Sequence, residues 1–130
     1  MHLQMIRSKQ INVGNHTARI VDVAINKNVR FGRYIADVIK PIYAVGDSKI
    51  KDNGIFHYKR EQGFLYEPKK NWGYFKFLDI MKIKTIYPVD SILIGKIVLL
   101  EVYQKNFTNQ FDSYVKYPVG RAIKVIKTPF

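Results

Sequence analysis

Asn71-Trp72-Gly73-Tyr74-Phe75-Lys76-Phe77-Leu78-Asp79-Ile80-Met81-Lys82-Ile83-Lys84 is the one stretch of this chain that reads as a helix, and its place among the other elements decides the fold. Asn is a good helix cap, because its side-chain oxygen can accept a backbone N–H left unpaired in the first turn. Trp72, Phe75, Leu78 and Met81 recur every third residue, with Gly73, Lys76, Asp79 and Lys82 between them. The spacing predicts one apolar and one polar face, with Trp72 and Phe75 plugging a core. Pro88 stops the element.

Upstream, aromatic and β-branched residues fall in short runs punctuated by Gly, Asn and Asp, the pattern of a small β protein. After a turn at Val13-Gly14-Asn15, Thr17 to Ile25 reads as a strand with Arg19, Val21, Val23 and Ile25 on one face. Asn26 to Gly32 links it to a second strand, Arg33 to Val45, where Pro41 requires a bend or an edge because it cannot donate to a ladder. These two strands are expected to pair as a hairpin. Gly46 to Gly54 is a loop ending in Asn53-Gly54, a strong hairpin signal, and Ile55 to Lys59 follows as a third strand. Arg60 to Lys70 is irregular.

Downstream, Ile92 to Lys105 reads as a fourth strand broken by Gly95, Asn106 to Asp112 as a turn, and Ser113 to Ile126 as a last strand or strand pair bent near Pro118 and Gly120. Residues 1–12 are expected to form a flexible or pairing N-terminal arm on a single domain covering 1–130. The fold class is thus mainly β with one helix, in the order β-β-β-α-β-β. In a chain this short, that order predicts a five-stranded OB-fold barrel, a Greek-key architecture whose second and third strands and flanking loops bind oligonucleotides. Sm-like and SH3-like barrels lack a helix at this position, and an RNA-recognition sheet needs two.

The 130 residues carry 22 Lys+Arg against 10 Asp+Glu, a formal charge of +12, with 47% hydrophobic residues and no Cys. One domain of this length buries enough surface for a core without staples. Zero Cys excludes disulfides, thiolate metal sites and cysteine nucleophiles. So large a positive balance points to a polyanion, nucleic acid ahead of a membrane surface. Met1 to Arg7 lacks a secretory core, and the longest apolar stretch, Ile92 to Leu100, carries Lys96 at its centre and is far short of a bilayer span. A cytoplasmic protein is expected, in the host cytoplasm if phage-encoded, with no membrane partner.

On Gly14-Asn15-His16-Thr17-Ala18-Arg19-Ile20, Gly32-Arg33-Tyr34-Ile35-Ala36-Asp37, Asn71-Trp72-Gly73-Tyr74-Phe75 and Leu93 to Val102, the chain resembles phage-encoded single-stranded-DNA-binding proteins and their wider bacterial family. The resemblance spans most of residues 13–126 and is one of spacing. It implies an OB-fold and a role in DNA replication or recombination. Members of that family commonly carry an acidic C-terminal tail. Here Lys124-Val125-Ile126-Lys127-Thr128-Pro129-Phe130 keeps the final Pro-Phe without the acids.

Sequence-indifferent single-strand binding needs cations along the phosphates and aromatic faces on which bases stack. Three regions interleave them. Lys27, Arg30 and Arg33 surround Phe31; Tyr34, Lys40, Tyr43, Phe56, Tyr58, Lys59 and Arg60 follow on strands two and three; Tyr103, Lys105, Phe107, Tyr114 and Lys116 repeat the pattern near the end. An OB-fold converges these regions on one face. Tyr34, Tyr58, Tyr103 and Tyr114 are favoured because a phenol keeps its hydroxyl in water while offering a flat ring. Phe31 and Phe107 join them from predicted loops. Lys49, Lys51, Lys82 and Lys84 read as a solvated face.

Catalysis has little to stand on in the sequence, and no enzyme, cofactor or metal is expected. Asp52 with Glu67-Pro68-Lys69 mimics a nuclease motif, but on a Gly- and Pro-punctuated loop instead of rigid strands. His2, His16 and His57 lack metal-ligand spacing, His57 reading as a strand residue that faces solvent or nucleic acid, and no Gly-rich phosphate loop is present. The expected partner is single-stranded DNA, with RNA as the cold-shock-like variant and a homodimer through strand edges. The rival reading is a phage protein that binds and inhibits a host nucleic-acid enzyme or defence complex.

Overall fold

The first strand, β1 (Gly14–Phe31), is twice the length the sequence predicts, because two bulges let one strand turn where a linker was expected. A computed structural model describes residues 11–32, 34–59, 71–84, 90–108 and 114–128. The first bulge falls between Ile20 and Asp22. Ala18 and Ile20 are buried before it and Val23 after it, so the inward side changes from even to odd numbers. That shift explains why Arg19, expected beside Val23, is exposed. At the second bulge Lys27 and Asn28 stand opposite Asp37, where Asn28 adopts φ 57° and donates its N–H to Asp37 Oδ1 at 3.0 Å.

Strand β2 (Tyr34–Val45) returns antiparallel along β1 as the expected hairpin, with Gly32 in the connection at φ 60°. A second hairpin follows at once, which the sequence reading missed. Gly46 at φ 58° and Asp47 turn the chain, and β3 (Ser48–Lys51) forms where a loop was predicted. Strand β4 (Ile55–Lys59) then continues along the same edge of β2. Because Ile42 faces Lys51 and Ile39 faces Ile55, three residues (Asp52, Asn53 and Gly54) stand opposite two (Lys40 and Pro41). Asn53-Gly54 therefore builds a bulge, not a hairpin. Pro41 sits where its missing N–H costs little, and its carbonyl accepts the Asp52 N–H at 2.9 Å.

Strands β5 (Ile97–Thr108) and β6 (Tyr114–Lys127) complete an antiparallel sheet of six strands in the order β3-β2-β1-β5-β6, with β4 beside β3 on the edge of β2. Among the described residues the fold is mainly β, as expected, but it has six strands instead of five and the sheet is not closed into a barrel. A single parallel bridge, Asp52 to Gly120, links the two ends of the sheet among the described residues. Past that point helix α1 (Trp72–Ile80) contacts both β4 and β6, keeping their edges apart.

Helix α1 is shorter than predicted and turned differently. Its core side is Tyr74, Phe77 and Leu78, continued by Met81, while Trp72 is 65% exposed and Phe75 packs at the margin. The physical reason is helical pitch. At about 100° per residue, the nine steps from Trp72 to Met81 add half a turn to whole turns, so a strict i+3 series spirals from one face to the other. Spacing of i, i+3/i+4 and i+7 marks the buried stripe.

The helix ends in a Schellman arrangement: Lys82 N–H donates to Asp79 O at 3.0 Å and Ile83 N–H to Leu78 O at 2.9 Å. Lys82 occupies the left-handed position at φ 58°, where glycine is normally found. Lys82→Gly is expected to stabilise the fold by about 1 kcal/mol in urea unfolding. An unchanged or lowered midpoint would contradict that origin.

A four-residue helix, α2 (Asp90–Leu93), occupies the start of the predicted fourth strand. Gly95 N–H donates to Ile20 O at 2.8 Å and Ile20 N–H to Lys96 O at 2.9 Å, fixing this segment to the first bulge of β1. Lys96 itself is buried and donates from Nζ to Thr128 Oγ1 at 3.3 Å; burial, then the Lys82 charge, pushes its ammonium below the usual range. No helix among the described residues is long and apolar enough to cross a membrane.

Candidate nucleic-acid interface

Pairing register places four aromatic rings on the outer face of β1, β2 and β4. Phe31 lies opposite Tyr34, Phe56 opposite Val38 and Tyr58 opposite Ala36, and residues directly opposite share a face. Ala36 and Val38 are buried beneath the larger side chains. The Phe31 ring is 5.4 Å from Phe56 and 6.5 Å from Tyr58, Phe56 is 5.9 Å from Tyr58, and Tyr34 is 6.2 Å from Tyr58. All four contacts are edge-on or tilted, so the rings do not stack on one another. Phe31 is 41% exposed and the other three are half-buried.

Lys40 continues the same face of β2, two positions beyond Val38. A Cβ placed on Gly54 would lie 3.5 Å from Lys40 Cε and 3.8 Å from Phe56, so the lysine stem runs across the bulge beside that ring. Lys105 reaches the bulge from β5, donating from Nζ to Asn53 Oδ1. Lys27 and Arg30 are exposed on β1, Lys27 at the second bulge and Arg30 beside Phe31 on the alternate side of the strand.

A groove of about 720 Å³ adjoins this face, between β4, α1 and the neighbouring parts of β5 and β6. Phe56 and Tyr58 form one wall and Tyr103 another. The Arg121 guanidinium lies 5.8 Å from the Tyr103 ring centroid and pairs with Glu101. Burial, with the nearby Asp52 carboxyl, pushes the Tyr103 phenol up, so it stays neutral in the ordinary range of pH.

One of the sixteen residues expected at the interface is misplaced. Tyr43 is fully buried on the core side of β2, because its hydroxyl is used inside the fold: it donates to Asp52 Oδ2 at 2.6 Å. Arg33 and Arg60 lie outside the described residues, as do the side chains of Lys59, Phe107, Tyr114 and Lys116. Of the remainder, Phe31, Tyr34, Phe56 and Tyr58 meet in the ring cluster with Lys40 alongside, and Tyr103 and Lys105 stand across the groove. Lys27 and Arg30 stand apart from the groove wall.

His57 also departs from expectation. Its ring stacks on buried Tyr74 at 4.2 Å and 5°, against the helix instead of solvent. Sequence reasoning missed Trp72, Lys76 and Arg121 as groove residues. For Trp72 the signal is helical pitch, which sets it half a turn around the helix from buried Met81.

Asp52 anchors the bulge behind this surface. Its Oδ1 accepts the Gly54 N–H at 2.9 Å and its Oδ2 the Tyr43 hydroxyl. Burial pushes the Asp52 carboxyl up, partly opposed by these two donors and by the Arg121 and Lys40 charges. Burial and the adjacent carboxyl likewise hold the Tyr43 phenol well above its usual range. An acid whose folded value is raised contributes stability that is fully present below its unfolded value and lost as pH climbs through the folded one. Asp52→Asn keeps an oxygen for the Gly54 N–H and removes the titration. Its unfolding free energy relative to the native chain is therefore expected to improve as pH rises upward from about 4. Parallel stability curves for the two proteins would contradict this.

Among the described residues, no three His, Asp or Glu side chains converge as metal ligands. Comparison with known protein families, with characterised proteins and with solved structures finds no match for this chain.

Proposed function

We propose that the chain is a non-catalytic single-stranded-DNA-binding protein serving replication or recombination, with phosphates held by Lys and Arg and bases stacked on the rings of the β1-β2-β4 face. The observation that carries the reading is the cluster of Phe31, Tyr34, Phe56 and Tyr58 beside Lys40, on a chain of formal charge +12. Aromatic faces serve every base alike, and cations serve every phosphate, so the pairing favours unpaired strands without sequence preference. A duplex hides its base faces and gains only the charge.

We also propose that the strand path is of OB type, opened on one side. Three features support this: β1 is flanked by β2 and β5, β3 and β4 act as two halves of one bulged strand, and the Asp52–Gly120 bridge lies where a third and a fifth strand would close a barrel.

The test is fluorescence anisotropy of end-labelled oligo-dT across a salt series, with a duplex and a matched RNA as competitors. Affinity is expected to fall with added salt at a log–log slope of about −0.7 per phosphate neutralised, and the single strand to outcompete the duplex. Absence of binding at low salt, or equal preference for duplex, would overturn the reading. RNA competing as well as DNA would widen the ligand to single strands of both kinds, since discrimination turns on the 2′-hydroxyl.

A further inference from the structure

Trp72 has the largest exposure of the big apolar side chains described, on a helix whose core needs are already met by Tyr74, Phe77 and Leu78. Lys76 lies one turn further along, with its ammonium 4.8 Å from the indole centroid. Both line the groove beside β4. A flat ring and a cation are thus presented side by side, as at the ring cluster, but on a different element.

The groove has the remaining features of a nucleotide subsite. Its volume falls within the range of about 300–1,000 Å³ typical of sites that enclose small organic ligands. Ile55, Phe77 and Ile80 supply apolar lining, and Tyr103 with Arg121 forms the facing wall. The two acids among its described lining residues are both engaged, Asp52 buried against Tyr43 and Glu101 paired with Arg121. Phe56 and Tyr58 belong to the groove and to the outer-face cluster alike. A strand lying across Phe31 and Tyr34 therefore continues over the edge of β4 into the groove without leaving aromatic surface.

We propose that this groove is a second subsite for the same single strand, in which an unpaired base stacks on Trp72 while Lys76 meets an adjacent phosphate. This rests on the single-strand-binding reading above and extends it to a surface on the helix. Trp72 is the only tryptophan, so its emission reports on this groove alone.

The experiment titrates the full chain with oligo-dT of increasing length, following Trp72 emission and, in parallel, anisotropy of the labelled DNA. The emission is expected to be quenched and shielded from acrylamide once the oligomer is long enough to pass β4. Trp72→Ala should weaken binding of the longer oligomers by about 5- to 150-fold and leave the shortest bound ones unaffected, while Trp72→Phe retains most of the affinity. Thermal melting of each variant confirms folding, which an exposed side chain should not impair. If DNA binds but the emission is unchanged and Trp72→Ala stays within twofold at every length, the subsite falls and the outer-face reading stands. Equal quenching by a duplex would also overturn the subsite, and no DNA binding by the native chain would remove both.

Discussion

Replacing Phe56 and Tyr58 together by alanine is expected to weaken oligo-dT binding at least about 30-fold, the largest loss available from two residues of this surface. Each base stacked on a ring contributes about 1–3 kcal/mol by alanine substitution, and tenfold in affinity corresponds to about 1.4 kcal/mol. These two rings stand at the centre of the cluster: Phe56 touches Phe31 and Tyr58, and Tyr58 touches Tyr34 as well. Their loss therefore removes two platforms and the lateral support of the others. Both are half-buried, so a leucine pair provides the control that keeps apolar volume while removing the flat faces. It should bind as poorly as the alanine pair. Lys49 and Lys51, exposed on β3 opposite Ala44 and Ile42, further along β2 than the ring partners Ala36 and Val38, give the opposite control. Their alanine variants should change affinity less than threefold and the salt slope by less than one phosphate. A leucine pair that binds like the native chain would show that the rings are packing groups and not platforms.

The second large effect concerns Asn71, and it acts on stability. Asn71 stands at the start of α1, yet its side chain does not cap the helix. It is fully buried, and it turns instead to the open edge of β4, accepting the Tyr58 N–H at 2.7 Å on Oδ1 and donating from Nδ2 to Tyr58 O at 3.0 Å. The amide thus takes the place of a neighbouring strand for one residue. Asn71→Ala strands both backbone groups in a half-buried place, at a cost of up to about 1–3 kcal/mol for each group left without a partner. A loss of roughly 2–4 kcal/mol is expected in urea unfolding, a large share of the total for a small domain. Asn71→Asp should be at least as damaging, since a carboxylate cannot donate to Tyr58 O and adds a buried charge. The same variants should lower DNA affinity by less than the ring pair does, because Tyr58 loses its tether but keeps its ring. Wild-type stability in Asn71→Ala would contradict the assigned bonds.

Asn71 also shows how far the sequence could be read. A helix beginning at that residue was legible, because Asn before an apolar periodic run is a local signal. What its side chain does was not legible, since its partner lies thirteen residues upstream on another element. The β1–β2 hairpin was legible from two β-rich runs, whereas β3 was missed because Gly46-Asp47 and Asn53-Gly54 are both credible turns. Which of them reverses the chain depends on the far edge of β2, and there the Asp52–Tyr43 hydrogen bond and Pro41 favour a bulge. Tyr43 was separable from Tyr34 and Lys40 by alternation alone, since it lies an odd number of positions from each on a strand whose own run is unbroken and the extra residues of both bulges lie on β1. Phe31, Tyr34, Phe56 and Tyr58 could be grouped from sequence as interleaved aromatics. Their meeting on one face needed the register.

Photo-crosslinking addresses the central claim most directly: oligo-dT carrying 5-iodouracil, irradiated on the native chain at low salt, with the adducts located by peptide mass spectrometry. The account predicts adducts on Phe31, Tyr34, Phe56 or Tyr58, suppressed by unlabelled single strand and not by duplex. Adducts confined to β3 around Lys49 and Lys51, or strong binding with none on the four rings, would contradict it.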